Sequence, residues 1–156
     1  MGDSTKKMVI LLADDDPDDR EMTRKALEKN GLAADLHTVA DGEELLDYLH
    51  HRGRYQPPAL SPAPGLILLD LNMPKMDGRE ALAEIKADRT LRRIPVVVMT
   101  TSKAEQDIFR TYDLGSNSFI SKPITLAALV ELTGVLGQYW FHIVTLPEIS
   151  GDTDRR

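Results

Sequence analysis

Five strand-length apolar runs alternate with helical segments along this chain, and this alternation limits the fold more than any other feature. Three runs are almost continuously apolar, as is typical of parallel strands buried on both faces: MVILLA, GLILLD and VVVMTT. Two weaker runs, DLHTVA and SFIS, complete the set. The intervening helices open at capping residues, namely Asp16, Asp41, Asp77 and Thr125. The pattern predicts an α/β fold with a doubly wound, five-stranded parallel sheet and helices on both faces.

Polar side chains stand at the ends of four predicted strands. They are Asp14 and Asp15, Asp70, Thr100 and Thr101, and Lys122. In a parallel sheet covered by helices, ligands bind beyond the carboxyl ends of the strands, near the point where strand order switches. We therefore expect these side chains to meet at one edge of the sheet.

The segment LLADDDPDDREM places five carboxylates in six positions. Two such charges about 4 Å apart repel by about 4 kcal/mol at an effective dielectric near 20. A hard cation such as Mg²⁺ at Asp15 and Asp70 would offset part of this repulsion, since it prefers oxygen ligands. Three further carboxylates of the segment lie in the first turn of a helix, whose dipole favours each by about 0.3–1 kcal/mol: Asp16, Asp18 and Asp19. Taken alone, the segment also fits a merely solvated helix start.

The bulk properties exclude several classes of function. A length of 156 residues favours one domain with a sizeable core. The absence of cysteine excludes disulfides, thiolate zinc sites and cysteine nucleophiles. The net charge of -6 disfavours non-specific binding to nucleic acid, and no apolar stretch reaches the roughly 18 residues that a membrane span needs. We expect a cytoplasmic protein in which the proline-rich segment 51–65 forms a long surface loop.

Four motifs resemble the receiver domains of two-component response regulators: ADD, LLDLNMPKMDG, MTT and SKPIT. The resemblance covers about Met8 to Leu136. It implies a flavodoxin-like fold with strand order 2-1-3-4-5. It also implies that Asp70 is the phosphoacceptor and that Mg²⁺ is bound by Asp15, Asp70 and the main-chain carbonyl of Asn72, with Asp14 acting through a water.

The same resemblance implies a switch around the phosphoryl group. Thr100, followed by Thr101, binds the phosphoryl group, and Lys122 pairs with it. In this family the movement is coupled to an aromatic residue on the fifth strand, which is Phe119 here; a plain core role for that residue stays open. The Lys122–Pro123 peptide bond is expected to be cis, although only about 5–6% of X-Pro bonds are.

The C-terminal segment carries more apolar surface than a receiver needs. Its large apolar side chains are Tyr139, Trp140, Phe141, Ile143, Val144 and Leu146. Consecutive side chains of a helix point about 100° apart, so they cannot all enter one core. We interpret 1–7 as a tail, 8–137 as the receiver domain, and 138–156 as an extension that forms a homodimer. The alternative is that the aromatic residues fold back on their own chain.

These features predict a signalling switch that accepts a phosphoryl group from a histidine kinase. The WFHIVTLP tail and the proline-rich loop are similar to the stand-alone response regulators that partner phytochrome histidine kinases. A Mg²⁺-dependent phosphohydrolase with an aspartyl-phosphate intermediate is the alternative, but Asn72 stands where such an enzyme needs a second acid. An unphosphorylated scaffold is a third reading, which the intact set of polar strand ends disfavours.

Overall fold

The computed structural model describes residues 8–31, 34–101, 105–116, 118–123 and 125–143, with the main chain only at 105, 106, 109 and 141–143. The strands are β1 (Met8–Ala13), β2 (Ala34–Val39), β3 (Leu66–Leu69), β4 (Val96–Thr100) and β5 (Ser118–Ser121). The helices are α1 (Pro17–Lys29), α2 (Gly42–His50), α3 (Gly78–Ala87), α4 (Glu105–Asp113) and α5 (Leu126–Gly137). All strand pairs are parallel, in the order β2-β1-β3-β4-β5, which confirms the predicted fold class.

Alternate residues of the central strands enter two separate apolar cores. Leu11 and Ile67 belong to the core on the side of α2 and α3, whereas Ile10 and Leu68 belong to the core on the side of α1 and α5. Because side chains alternate along a strand, a run that is apolar at every position serves both cores at once. The continuous apolar runs of the sequence are therefore explained by burial on both faces.

The predicted capping residues all begin helices. The side chains of Asp16, Asp41, Asp77 and Thr125 each accept a hydrogen bond from a main-chain N–H of the first turn. At α3 the cap is reciprocal, because Glu80 also accepts from the main-chain N–H of Asp77. Such caps fix where each helix starts, and so they fix the loops that leave the carboxyl edge of the sheet.

Two glycines allow the loop between β3 and α3 to pack closely. A Cβ atom on Gly42 would lie 2.2 Å from the Met76 carbonyl oxygen, and one on Gly78 would lie 2.3 Å from that of Asp70. The N–H of Gly42 donates to Met76 O at 2.9 Å, and the N–H of Gly78 donates to Leu71 O at 2.9 Å. Only glycine fits at these two contacts, which hold the loop that follows Asp70.

The proline-rich loop is attached to α2, away from the carboxyl edge of β3. The Tyr48 hydroxyl donates to Pro62 O at 2.8 Å, and Glu44 accepts from Tyr55 at 2.5 Å and from Arg54 at 2.7 Å. At its tip the Leu60 side chain is 90% exposed. The loop thus has a defined position over α2 although most of its surface faces solvent.

The predicted cis bond at Lys122–Pro123 is wrong. Within the described residues, the cis peptide bond lies in the proline-rich loop, at Pro57–Pro58. Trans is the intrinsic preference of an X-Pro bond by about 0.5–1 kcal/mol. The Lys122 N–H meanwhile donates to Thr100 O at 2.9 Å, which continues the ladder between β4 and β5.

The last helix continues into a π-helical segment, Gln138–Ile143, in which the neighbouring aromatic residues Tyr139 and Trp140 differ in burial. Trp140 is only 7% exposed and packs in the same core as Leu129, whereas Tyr139 is 51% exposed. The prediction that Trp140 is buried against a partner chain is therefore wrong. Trp140 is buried within its own chain, where it continues the face formed by Leu129, Thr133 and Gly137. The side chains of Phe141 and Ile143, and all of Val144 and Leu146, lie outside the described residues.

No helix within the described residues has the length and apolar character that crossing a membrane requires.

Candidate functional site

Three carboxylates converge at the carboxyl edge of the sheet. Asp14 and Asp15 follow β1, and Asp70 follows β3 in the neighbouring position of the sheet. One oxygen from each lies within 4.8 Å of the other two. Asp14 and Asp70 are buried, while Asp15 faces solvent. Within the described residues, no other trio of histidine or acidic side chains converges so closely.

The ammonium of Lys122 is the positive charge within this cluster. Its Nζ lies 2.6 Å from Asp14 Oδ2, 2.7 Å from Asp19 Oδ2 and 3.1 Å from Asp70 Oδ2. Burial opposes the charge of Lys122, but the hydrogen bonds to Asp14 and Asp19 outweigh it and raise the pKa of the lysine above its usual value. Lys122 therefore stays charged and offsets part of the repulsion that the sequence predicts.

The surroundings of Asp14 disfavour the ionised form of its carboxyl group, so its pKa is raised. Burial raises the pKa of Asp14, although hydrogen bonds from Lys122 and from the N–H of Asp16, at 3.0 Å, act in the opposite direction. The negative charge of Asp70 also raises it. A carboxylate held in this way gains from any further positive charge placed beside it.

A network of hydrogen bonds fixes the Asp70 carboxylate. The Thr100 hydroxyl, which is fully buried at the end of β4, donates to Asp70 Oδ1 at 2.9 Å. The N–H of Asn72 donates to the same oxygen at 3.1 Å, and the side-chain amide of Asn72 lies 3.5 Å from Thr100 Oγ1. Thr101 is exposed, so of the two threonines only the first joins this network within the described residues.

The strand that leads to Lys122 is tied to α4 by a side chain. The N–H of Phe119, which is half-buried on β5, donates to the Tyr112 hydroxyl at 3.2 Å. Nearer the site, Arg79 of α3 forms two hydrogen bonds to Asp107 of α4, at 2.7 and 2.6 Å. Helix α4 is therefore linked on one side to α3 and on the other to the edge strand.

The donor set suits a hard divalent cation. Three carboxylate oxygens converge, no thiolate is available, and one carboxylate faces solvent, which leaves room for water ligands. Mg²⁺ and Mn²⁺ favour oxygen donors and sites that keep several waters. The residues present fit such an ion.

Comparison with known proteins identifies the family. The model of the response regulator receiver domain matches residues 10–133. The response regulator Rcp1 of Synechocystis is 40% identical over 145 residues, covering 93% of this chain and 97% of its own. The chain belongs to the response regulator receiver-domain family. It is a phosphoacceptor switch of the class phosphorylated on aspartate, rather than an enzyme of the phosphohydrolase kind.

Solved structures support the same assignment. The phosphorylated cyanobacterial phytochrome response regulator RcpA is 43% identical, with a TM-score of 0.84, and the match covers 91% of this chain and 99% of that one. The Mn²⁺-bound form of Rcp1 is 40% identical, with a TM-score of 0.82, and covers 90% of this chain and 99% of its own. The receiver fold and the acidic trio at its carboxyl edge are therefore those of the family.

The receiver brings together most of the residues that the sequence predicts for the site. Asp14, Asp15 and Asp70 converge, and Thr100 and Lys122 contact Asp70. One residue was missed: Asp19 was expected only to complement the helix dipole, yet it contacts Lys122. Helical spacing could have revealed it, because Thr23 and Ala26, four and seven residues later, are buried on the same face of α1.

Proposed function

We propose that this receiver accepts a phosphoryl group on Asp70 from a histidine kinase and transmits the change through Thr100, Lys122 and β5. One observation carries the proposal: the Asp70 carboxylate lies in the acidic trio and is contacted by both Thr100 and Lys122. A hydroxyl and an ammonium are the groups that can turn towards a phosphoryl group on Asp70, since phosphorylation adds about -1.5 to -2 of charge.

Mg²⁺ is the proposed cofactor, held by Asp15, Asp70 and the carbonyl of Asn72, with Asp14 acting through a water. When bound there, Mg²⁺ would supply positive charge that offsets the charge of the phosphoryl oxygens. The chain's own residues fix the attacking group, because Thr100 and the N–H of Asn72 both bind Asp70 Oδ1. The other oxygen of Asp70 then faces Lys122.

A phytochrome-type histidine kinase is the proposed phosphodonor. The basis is the similarity to RcpA, which is described as a phytochrome response regulator, over 99% of its length. Because such kinases draw on ATP, we place the receiver in the cytoplasm with the kinase domain. We further propose that residues 8–137 form the receiver domain, that 1–7 are a tail, and that 138–156 form an extension.

We propose a homodimer through α5 and the extension. Most residues of helix α5 are apolar, and Val135 remains 64% exposed. Tyr139, one turn further on, is 51% exposed. An apolar helix normally buries all its faces, so a second copy of the chain is the occupant that this surface fits. Phe141, Ile143, Val144 and Leu146 would extend the same interface.

Phosphotransfer tests the function. A bacteriophytochrome-type histidine kinase would be loaded with radiolabelled ATP and mixed with the wild-type receiver or with Asp70→Asn, in Mg²⁺ and in chelator. We expect label on the wild type only, and only with Mg²⁺. Asp18→Asn, which removes a charge from the exposed side of α1, serves as the control and should be labelled normally. Full labelling of Asp70→Asn would contradict the proposal.

A further inference from the structure

Lys122 is shared among three carboxylates, one of which belongs to helix α1 instead of the cation site. Its Nζ lies 2.7 Å from Asp19 Oδ2, closer than to Asp70 Oδ2 at 3.1 Å. Asp14 and Asp70 belong to the trio that converges as a cation site, but Asp19 does not. A divalent cation bound by that trio would compete with Lys122 for Asp14 and Asp70. Asp19, which is outside the trio, would remain a partner of the lysine.

The position of Asp19 in the first turn of α1 places its side chain beside Lys122. The Asp19 side chain is 31% exposed and Lys122 only 11%. The Asp19 carbonyl accepts from the buried Thr23 hydroxyl at 3.0 Å, one turn further along the helix. Asp18 carries the same charge in the same turn but faces solvent, and the carboxylates that pair with Lys122 in the described residues are Asp14, Asp19 and Asp70.

We infer that Asp19 is a positioning residue that holds Lys122 towards α1 and competes with a phosphorylated Asp70 for the ammonium. The inference rests on the proposed role of Asp70. The ammonium has three N–H groups to donate, and in the structure it contacts three carboxylate acceptors. A phosphoryl group adds acceptors at Asp70, so the lysine must give up contact elsewhere. Asp19 therefore favours the unphosphorylated arrangement and limits how completely Lys122 turns to the phosphoryl group.

Beryllofluoride, which mimics a phosphoryl group on a carboxylate, provides the measurement. Its dissociation constant would be determined by calorimetry at saturating Mg²⁺ for the wild type, Asp19→Asn and the matched control Asp18→Asn. We expect Asp19→Asn to bind about fivefold more tightly, close to the upper value of a partly exposed ion pair. Asp18→Asn should match the wild type, because Asp18 faces solvent and does not pair with Lys122. Since both variants lose the same charge from the same helical turn, a difference between them reports the contact and not the net charge.

The same two constants measured in a Lys122→Ala background separate an effect through the lysine from an effect of charge. If Asp19 acts by holding Lys122, Asp19→Asn changes nothing in that background. A gain in affinity that persists without the lysine would overturn the inference, as would an Asp19→Asn constant equal to that of Asp18→Asn. Asp19→Ser replaces Asp19→Asn if thermal unfolding shows that the first variant does not fold.

Failure of the inference and failure of the proposed function give different results. If the wild type binds beryllofluoride but Asp19→Asn binds no more tightly, the role of Asp19 is wrong and that of Asp70 stands. If the wild type does not bind it in Mg²⁺, and Asp70→Asn behaves identically, the proposed function and the inference are both overturned.

Discussion

Lys122 Nζ lies 3.1 Å from Asp70 Oδ2, the longest of its contacts with the carboxylates at this edge of the sheet. The distance permits a hydrogen bond but leaves the ammonium closer to Asp14 and Asp19. Phosphorylation of Asp70 would shift that balance, because it places more negative charge and more acceptor oxygens at position 70. Since Lys122 directly follows β5, its movement would change the end of that strand.

Lys122→Ala should separate phosphorylation from transmission. Asp70 and the cation ligands remain, so the variant should still accept a phosphoryl group, at least in part. It should lose the change that phosphorylation causes at the ends of β4 and β5, because the contact that draws β5 towards Asp70 is absent. Hydrogen exchange of residues 96–101 and 118–123, with and without phosphorylation, measures this. A change equal to that of the wild type would show that the lysine is not the coupling element.

Lys122→Ala should also unfold more easily when no divalent cation is present. Removing a buried positive charge leaves carboxylates without compensation, which costs about 3 kcal/mol in comparable cases. Mg²⁺ should restore more stability to this variant than to the wild type. Urea unfolding in chelator and in Mg²⁺ tests this, with Lys25→Ala on the exposed face of α1 as the control.

Gly78→Ala should distort the loop that follows Asp70. The added Cβ would lie 2.3 Å from the Asp70 carbonyl oxygen, and neither main-chain segment can move without shifting the loop that contains Asn72. Overpacking of this kind costs about 1–3 kcal/mol. We expect lower stability in urea and weaker Mg²⁺ binding by calorimetry. Mg²⁺ affinity equal to that of the wild type would show that the loop tolerates the shift without disturbing the cation site.

Trp140→Ala should destabilise the single chain instead of merely separating a dimer. Trp140 is 7% exposed and packs against the core formed by α1, α5 and the sheet. Truncating a buried tryptophan costs about 3–5 kcal/mol. The midpoint of urea unfolding should fall accordingly at any protein concentration. An unchanged midpoint would mean that the side chain contributes no packing within its own chain.

Tyr139→Ala combined with Val135→Asp should prevent assembly while leaving the fold intact. Both side chains are more than half exposed in the single chain, so replacing them removes little intrachain packing beyond the edge-to-face contact of Tyr139 with Trp140. A twofold interface uses the same patch twice, so each substitution removes two contacts. Light scattering at tens of micromolar protein should show a dimer for the wild type and for Leu60→Ser, an exposed apolar control. A monomeric wild type, phosphorylated or not, would contradict the proposed dimer.

The fold was predictable because local signals and tertiary contacts agree. Each predicted cap, Asp16, Asp41, Asp77 and Thr125, does begin a helix, and each continuous apolar run is a strand buried on both faces. The site followed from topology, since parallel strands bring their carboxyl ends to one edge. The motifs alone do not show that Asp19 contacts Lys122, because that contact depends on the rotation of α1 about its own axis, which only the buried face at Thr23 and Ala26 indicates.

In the C-terminal segment, too, the rotation of a helix about its axis decides which side chain is buried. Three consecutive aromatic residues indicate that some must lie outside the core, but not which. The answer comes from the face that α5 has already buried: Leu129, Thr133 and Gly137 are followed at helical spacing by Trp140, which therefore turns inward. Tyr139, one position earlier, is left outside. A reading of the whole helix, rather than of the aromatic cluster alone, would have assigned both.

Chemical trapping of the phosphorylated residue is the most direct test of the central claim. The receiver would be phosphorylated in Mg²⁺ by a small phosphodonor and reduced with borohydride, which converts an aspartyl phosphate to homoserine, before peptide mass spectrometry. The account predicts homoserine at position 70 and unmodified aspartate at positions 14, 15 and 19. Homoserine at another position, or none at 70 in protein shown to carry phosphate, would contradict it.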